Sequence, residues 1–140
     1  MFKKRPTGRK DNVNKKAEQW ILQANDDIEV AELLFKSKKY LHSIFICHLA
    51  VEKALKAVYA NINDQVPPKT HNLIYLLEIT KLELSSEKYE CLASLNDAGI
   101  PTRYPEDRDQ MLKEFTDENV GSTIKTSKEV ILWITEKLKK

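Results

Sequence analysis

The sequence predicts an all-α protein, an up-and-down bundle of four to five helices joined by short connections. Apolar residues recur at three- and four-residue steps over long stretches, which is the spacing of amphipathic helices. No segment reads convincingly as a strand, and only 3 Gly and 5 Pro in 140 residues disfavour a turn-rich β fold. Hydrophobic residues make up 41% and charged residues 31%, an ordinary globular balance. A single helical domain is therefore expected over residues 13–140.

The first two helices carry the strongest apolar pattern. The first is predicted to begin near Asn12 or Asn14, since either side chain can cap a helix, and to end in the cationic segment 36–39. The second is predicted from Tyr40 to Ile62, and its first half is apolar nearly all round, so it should lie at the centre of the bundle. The first stripe consists of Ala17, Trp20, Ile21, Ala24, Ile28, Ala31, Leu34 and Phe35.

The remaining helices are shorter or less regular. Thr70 is expected to cap a short helix from His71 to about residue 80, and Ser85 or Ser86 to cap the next one. In that next helix the inward residues should be Tyr89, Leu92 and Leu95. Residues 96–116 have no clear period and are expected to form a loop, which is often a functional element in compact domains. Thr116 is predicted to begin a last helix that runs to the C-terminus.

Charge is distributed unevenly along the chain. Residues 1–16 hold seven Lys or Arg against Asp11 alone, a net charge of +6, and the rest of the chain has a net charge of −4. Residues 1–12 are expected to be a flexible basic tail that can contact RNA phosphates, or else only a solubilising segment. No apolar run is long enough to span a membrane, and no secretory signal follows the basic start. With Cys47 and Cys91 expected to be reduced core residues, the sequence predicts a cytoplasmic protein.

Three groups of residues are candidates for chemistry. Lys53 and Lys56 follow Glu52 on the predicted polar face of the second helix, where Glu52 and Lys56 are spaced for a surface ion pair and either lysine could instead meet a phosphate. His71 follows the expected cap, where it could bind an anion, act as a base or simply hold the helix start. In the 96–116 loop, Arg103 offers a planar guanidinium whose donors suit phosphate, and Tyr104 offers a ring that can stack on a base.

Arg103 could equally pair with Glu106 or Asp107 and only staple its loop. The histidines do not have metal-binding spacing, because His42 and His48 are six residues apart. No glycine-rich phosphate loop and no nucleophile elbow are found. The sequence therefore predicts no catalytic residue, no metal site and no cofactor.

The stretch AVEKALKA at residues 50–57, followed by THNL at 70–73 and TRYP at 102–105, resembles the HEPN domain over roughly residues 17–138. This prokaryotic helical domain is usually encoded beside a minimal nucleotidyltransferase. The resemblance implies a helical bundle that forms a homodimer and acts with such a partner, in some cases as half of a toxin–antitoxin pair. It also favours a phosphate contact from Lys53 or Lys56.

The ribonuclease members of that family carry an Arg followed by His after four to six intervening residues. In this sequence His42, His48 and His71 all precede Arg103, and no arginine is followed by a histidine at that spacing. We therefore expect a nucleotide- or RNA-binding module in which Lys53, Lys56, His71, Arg103 and Tyr104 converge on one groove. The alternatives are a metal-independent ribonuclease toxin with a degenerate site built on His71 and Arg103, and a non-catalytic subunit that only dimerises.

Overall fold

The computed structural model describes residues 13–98 and 105–139, and these residues form six α-helices with no strand. The helices are α1 Lys15–Lys36, α2 Tyr40–Asn63, α3 Leu73–Thr80, α4 Ser86–Ala98, α5 Pro105–Glu114 and α6 Asp117–Leu138. The predicted all-α class is confirmed, with six helices in the described residues rather than four or five. The basic tail at residues 1–12 lies outside them. No helix in the described ranges is long and apolar enough to cross a membrane.

The extra helix, α5, occupies part of the segment expected to be a loop, so that expectation is wrong for residues 105–114. None of its residues is buried, which explains why the sequence shows no apolar period there. Its start is nevertheless favourable, because Pro105 stands at the first helical position and Glu106 and Asp107 lie in the first turn, where carboxylates suit the helix dipole.

α1 and α2 form the hairpin on which the rest of the bundle is built. The Asn14 side chain accepts a hydrogen bond from the Ala17 amide (2.8 Å), so Asn14, one of the two predicted candidates, is the cap of α1. The same side chain donates to the Ala60 carbonyl (3.0 Å) and thereby ties the start of α1 to the end of α2. Between the helices, Lys38 takes a left-handed backbone conformation (φ 63°) that reverses the chain.

α2 is the central helix, as its apolar first half predicts. It contacts every other helix, and Val51, Ala54 and Leu55 are completely buried. Burial of one such aliphatic side chain contributes about 1.5–3 kcal/mol, so the core packed around α2 supplies most of the driving force for folding. Both cysteines are free thiols: Cys47 is buried, which raises its pKa to about 12, and Cys91 is half-buried.

The short helices differ from expectation at two positions. α3 is capped by Asn72, whose side chain accepts from the Tyr75 amide (3.0 Å), while the Thr70 hydroxyl accepts from the Asn72 amide (3.2 Å). Thr70 therefore braces the approach to the helix and does not cap it, and His71 lies in the loop. In α4 the Tyr89 ring is 44% exposed rather than inward, because the buried face of this short helix is narrow.

The remaining predictions for these helices agree with the structure. Leu92 and Leu95 are buried beneath α4, as expected. Ser85 precedes α4, and its hydroxyl accepts a hydrogen bond from the Lys88 amide (3.3 Å). Thr116 caps α6 through a hydrogen bond from the Asn119 amide (3.1 Å).

Candidate phosphate-binding site

One face of α2 carries three polar residues on successive turns, His48, Glu52 and Lys56. All three are almost completely buried, with exposed fractions of 2%, 4% and 7%. The expectation that Glu52 and Lys56 form a surface ion pair is therefore wrong: the pair exists, but it is enclosed. Trp20 of α1 lies beside Lys56, and the loop that carries His71 lies over Glu52, so neighbouring elements cover the face that the α2 sequence alone marks as polar.

The Glu52 carboxylate organises this cluster. One oxygen, Oε2, accepts a hydrogen bond from Lys56 Nζ at 2.8 Å, and the other, Oε1, lies 2.8 Å from His71 Nδ1. An ionised carboxylate can only accept hydrogen bonds, so Nδ1 of His71 carries a proton. Both oxygens are satisfied, and the negative charge of Glu52 is balanced by the Lys56 ammonium, which is what burial of a carboxylate requires.

Two hydrogen bonds hold His71 in place, although its side chain is 69% exposed. Glu52 fixes the ring through Nδ1, and His48 fixes the backbone, because His48 Nε2 donates to the His71 carbonyl at 2.9 Å. The second ring nitrogen of His71, Nε2, has no hydrogen-bond partner among the described residues. The result is an imidazole in a set orientation with one nitrogen left for a ligand or a proton.

His48 is a neutral, enclosed anchor. Burial lowers the pKa of its imidazole, and the nearby Glu52 charge only partly opposes this effect. Because Nε2 donates to a carbonyl, the neutral ring has a lone pair on Nδ1, and that buried atom has no partner in the described residues. His48 therefore positions the loop at His71 and contributes no positive charge to the site.

The two lysines predicted to meet phosphate are both engaged with carboxylates. Lys56 bonds Glu52 and also lies over the Trp20 ring, with its Nζ atom 5.8 Å from the ring centroid. Lys53 Nζ lies 2.8 Å from Asp27 Oδ2 of α1, on a half-buried surface. A phosphate contact from either lysine stays a prediction, and the structure gives both a further role in holding α2 against its neighbours.

Of the five predicted site residues, the structure brings Lys56 and His71 together through Glu52, whereas the Lys53 ammonium pairs with α1. Arg103 and Tyr104 lie outside the described residues, so the predicted convergence of all five on one groove is not tested. The helix that begins directly after them, α5, does contact α2.

His48 and Trp20 were not predicted as parts of the site, and Glu52 was given only a surface role. The available signal was the spacing of His48, Glu52 and Lys56, which places three polar side chains on one line of an otherwise apolar helix. Such a line must either face solvent or be paired inside the bundle. The helical periodicity alone does not decide between these outcomes, because neighbouring loops determine what covers the line.

Comparisons with known proteins agree with this architecture. The family model of the HEPN domain matches residues 17–138. A protein of Methanocaldococcus jannaschii named "Putative toxin MJ1304" is 31% identical over 141 residues, which cover 89% of this chain and 90% of that protein.

Two solved structures have the same fold. The crystal structure of TT1696 from Thermus thermophilus superposes with a TM-score of 0.74 at 22% identity, and that of ST0689, an archaeal HEPN homologue, with 0.70 at 19%. Each match covers 89% of this chain and 99% of the solved chain. The family match over residues 17–138 and the 31% identity to the Methanocaldococcus protein show that the chain belongs to the HEPN domain family.

Proposed function

We propose that this HEPN-family chain is a binding module that takes a phosphate group of a nucleotide or RNA at His71. The observation that carries the proposal is the exposed imidazole whose Nδ1 is bonded to the buried Glu52 carboxylate at 2.8 Å. When His71 is protonated, Nδ1 donates to Glu52 and Nε2 becomes a donor for a phosphate oxygen. Charge-assisted hydrogen bonds of this kind are the stronger ones in proteins.

The charges around His71 favour this use. A carboxylate beside a phosphate site would repel the ligand, but the charge of Glu52 is already neutralised by Lys56 at 2.8 Å. A protonated His71 then leaves a local excess of one positive charge, which attracts an anion. Arg103 would add a planar guanidinium that can bond phosphate oxygens, and Tyr104 would add a ring that can stack on a base. Lys53 would add a second cation if its ammonium turned from Asp27 toward the phosphate.

The biological role that fits this module is toxin-like, in a pair with a separately encoded minimal nucleotidyltransferase. Membership in the HEPN family and the 31% identity to a protein named as a toxin candidate support this proposal. The expected assembly is a homodimer in the cytoplasm that binds the transferase. The proposal predicts a minimal nucleotidyltransferase gene beside the gene of this chain, and a tagged chain expressed together with that transferase should copurify with it. A missing neighbour, or failure to copurify, would count against the pairing.

A metal-independent ribonuclease is the second candidate, because one observation favours it. A carboxylate that orients an imidazole through one nitrogen and leaves the other free is an arrangement suited to general-base catalysis. His71 would take a proton from the ribose 2′-hydroxyl, and Arg103 would stabilise the phosphate charge. The missing Arg–His spacing of the ribonuclease members argues against this alternative and places it second.

One experiment separates the two functions. Purified full-length chain is mixed with a fluorescein-labelled single-stranded RNA in excess EDTA, and binding is followed by anisotropy while cleavage is followed on denaturing gels. Binding without cleavage, weakened in His71→Ala and unchanged in His42→Ala, is the result expected for a binding module. His42 is the matched control because it lies on the same helix as the site cluster and is exposed.

The Arg103→Ala variant adds a second readout. It should weaken binding by roughly 1–3 kcal/mol, the usual scale for losing a charge-assisted hydrogen bond, with little change in stability. Metal-free cleavage that disappears in both His71→Ala and Arg103→Ala would replace the binding module with the ribonuclease. Binding that is insensitive to both substitutions would refute the proposed site.

A further inference from the structure

α5 is a helix without a buried face. None of its 10 residues is buried, and Leu112 is 43% exposed. The helix contacts α2, and an open groove with a volume of about 420 Å³ separates it from α4. Isolated helices shorter than about 12–15 residues are only marginally stable in water, so α5 gains little from its own sequence. Contacts with a partner in the groove would therefore stabilise it.

The floor of this α4–α5 groove is apolar. Met111 of α5 and Phe115, which directly follows the helix, are half-buried, and Ala98 of α4 lines the groove as well. Phe115 and Ala98 pack against the hydrophobic core, so the floor is a fixed part of the bundle. Methionine is unbranched and adapts to the shape of a neighbour, which suits a surface that receives a side chain from another molecule.

The side of the groove that α5 forms is acidic. Asp107 and Glu114 line it two helical turns apart, with Met111 between them, and no Lys or Arg lines it among the described residues. Neither carboxylate forms an ion pair with another described residue. The two cations of α5, Arg108 and Lys113, lie outside the groove. The groove therefore presents a negative charge on each side of an apolar centre.

The sequence around the groove is acidic as well. Residues 78–118 hold eleven Asp or Glu against five Lys or Arg, a net charge of −6, whereas the rest of the chain has a net charge of +8. An excess of one sign attracts groups of the opposite sign and repels groups of the same sign. An RNA backbone, which proteins bind through Lys and Arg, is therefore disfavoured at this groove. A basic polypeptide is favoured.

The spacing of the two carboxylates does not suit a single metal ion. Asp107 and Glu114 are seven residues apart on a helix, a rise of about 10.5 Å, whereas oxygen ligands lie within about 2.0–2.6 Å of a shared Mg²⁺ or Ca²⁺. The described residues contain no group of three His, Cys, Asp or Glu side chains that could hold a metal ion. Two Lys or Arg side chains seven residues apart on another helix would be separated by the same rise.

We propose that the α4–α5 groove binds a basic amphipathic helix of a partner protein. Two Lys or Arg side chains of that helix, seven residues apart, would bond Asp107 and Glu114. Apolar side chains midway between the two cations lie on the same face of the partner helix and would pack on Met111 and Phe115. This interaction surface does not depend on the phosphate site at His71.

Synthetic peptides test the proposal on the full-length chain. The probe is a fluorescein-labelled helical peptide of about 15 residues, built from Ala and Gln, with two Lys seven residues apart and two Leu midway between them. One control peptide has Glu in place of both Lys, and the other has Gln in place of both Leu. In anisotropy titrations at about 0.15 M salt, the probe should bind about tenfold more tightly than either control, because it alone supplies both kinds of contact.

Paired substitutions assign the binding to the groove. Asp107→Asn combined with Glu114→Gln should weaken probe binding about five- to tenfold, the loss expected for two exposed ion pairs. The control pair, Glu106→Gln combined with Asp109→Asn, removes the same charge from exposed positions of the same helix outside the groove, and it should leave probe binding nearly unchanged. Met111→Gln, which removes part of the apolar floor, should also weaken binding, and circular dichroism shows whether each variant keeps its helices.

Several results would overturn the proposal. A probe that does not bind, or a peptide without Leu that binds as tightly as the probe, would remove the groove as a docking surface. Equal weakening by the two substitution pairs would show attraction to the net charge of the protein alone. Probe binding lost in His71→Ala would place the peptide at the phosphate site. Labelled RNA whose binding depends on Asp107 and Glu114 would assign the groove to nucleic acid instead.

Discussion

Removing the Lys56 ammonium should destabilise this protein far more than the loss of the surface ion pair expected from the sequence would. Lys56→Met keeps most of the apolar stem and removes only the charge, which bonds the Glu52 carboxylate at 2.8 Å with side chains only 9% and 5% exposed. Glu52 would then be a buried carboxylate with His71 as its one remaining partner among the described residues. Loss of one partner of a buried ion pair costs about 3–5 kcal/mol, a large part of the roughly 5–15 kcal/mol that keeps a small domain folded.

Two further ion pairs in the chain provide matched controls, because both have the same 2.8 Å separation. The Lys128–Glu32 pair is 51% and 37% exposed, so Lys128→Met should cost only about 0–1 kcal/mol. The Lys53–Asp27 pair, 23% and 21% exposed, should fall between the two. Burial alone therefore sets the expected order of the three losses in unfolding free energy.

The assay is urea unfolding followed by circular dichroism at one protein concentration and about pH 7.5, with the free energy of unfolding extrapolated to zero denaturant. The Glu52→Gln/Lys56→Met double variant should be more stable than the sum of the single losses predicts, because it leaves no unpaired buried charge. If Lys56→Met costs no more than Lys128→Met, the cluster is solvated and Glu52 is not an enclosed anchor for His71.

Three further tests concern the buried His48, the exposed Leu22 on α1 and the basic tail at residues 1–12. Burial lowers the pKa of His48 below its ordinary value of 6.5, so the unfolded chain takes up a proton more readily than the folded one, and the free energy of unfolding should fall as the pH drops through about 6.5. The side chain of His48→Gln can still donate to a carbonyl but cannot be protonated, so this variant should lose less stability between about pH 7.5 and 5.5. His42→Gln should show the same loss as the wild type. Light scattering at micromolar concentration should give a dimer mass, and Leu22→Glu should lower it, because Leu22 is 65% exposed on α1; a monomeric wild type would refute the dimer. Deleting residues 1–12 should leave the melting temperature nearly unchanged and weaken RNA binding in a salt-dependent way, and a large drop in melting temperature would contradict this.

The fold was largely predictable from the sequence, because its cues are local. The Asn14 and Thr116 caps and the apolar pattern of α2 depend on residues within one or two helical turns, and all three are confirmed by the structure. α5 could not be predicted in this way, since a helix with no buried face leaves no apolar period. Thr70 was misassigned because Asn72, two residues on, is an equally good cap.

The site was only partly predictable, because its geometry depends on contacts between residues distant in sequence. His71 bonds Glu52 across 19 residues and is anchored by His48 across 23, and neither contact has a local signature. Polar residues on α2 therefore suggested a surface, whereas a loop and α1 cover them. The sequence named Lys56 and His71, which Glu52 joins in the structure, but it did not predict the burial of Glu52 and Lys56.

The proposed function depends on the His71 imidazole, oriented by Glu52, as the group that binds a phosphate. Long-range ¹H–¹⁵N spectra of the histidine side chains, recorded while ribose 5-phosphate is added, test it directly because His42, His48 and His71 give separate signals. We expect Nδ1 of His71 to carry a proton before addition, the Nε2 resonance of His71 to move toward the protonated form as the phosphate binds, and the His42 signals not to respond. A His71 signal that stays fixed while ribose 5-phosphate binds, or an unprotonated Nδ1, would rule out His71 as the phosphate-binding group.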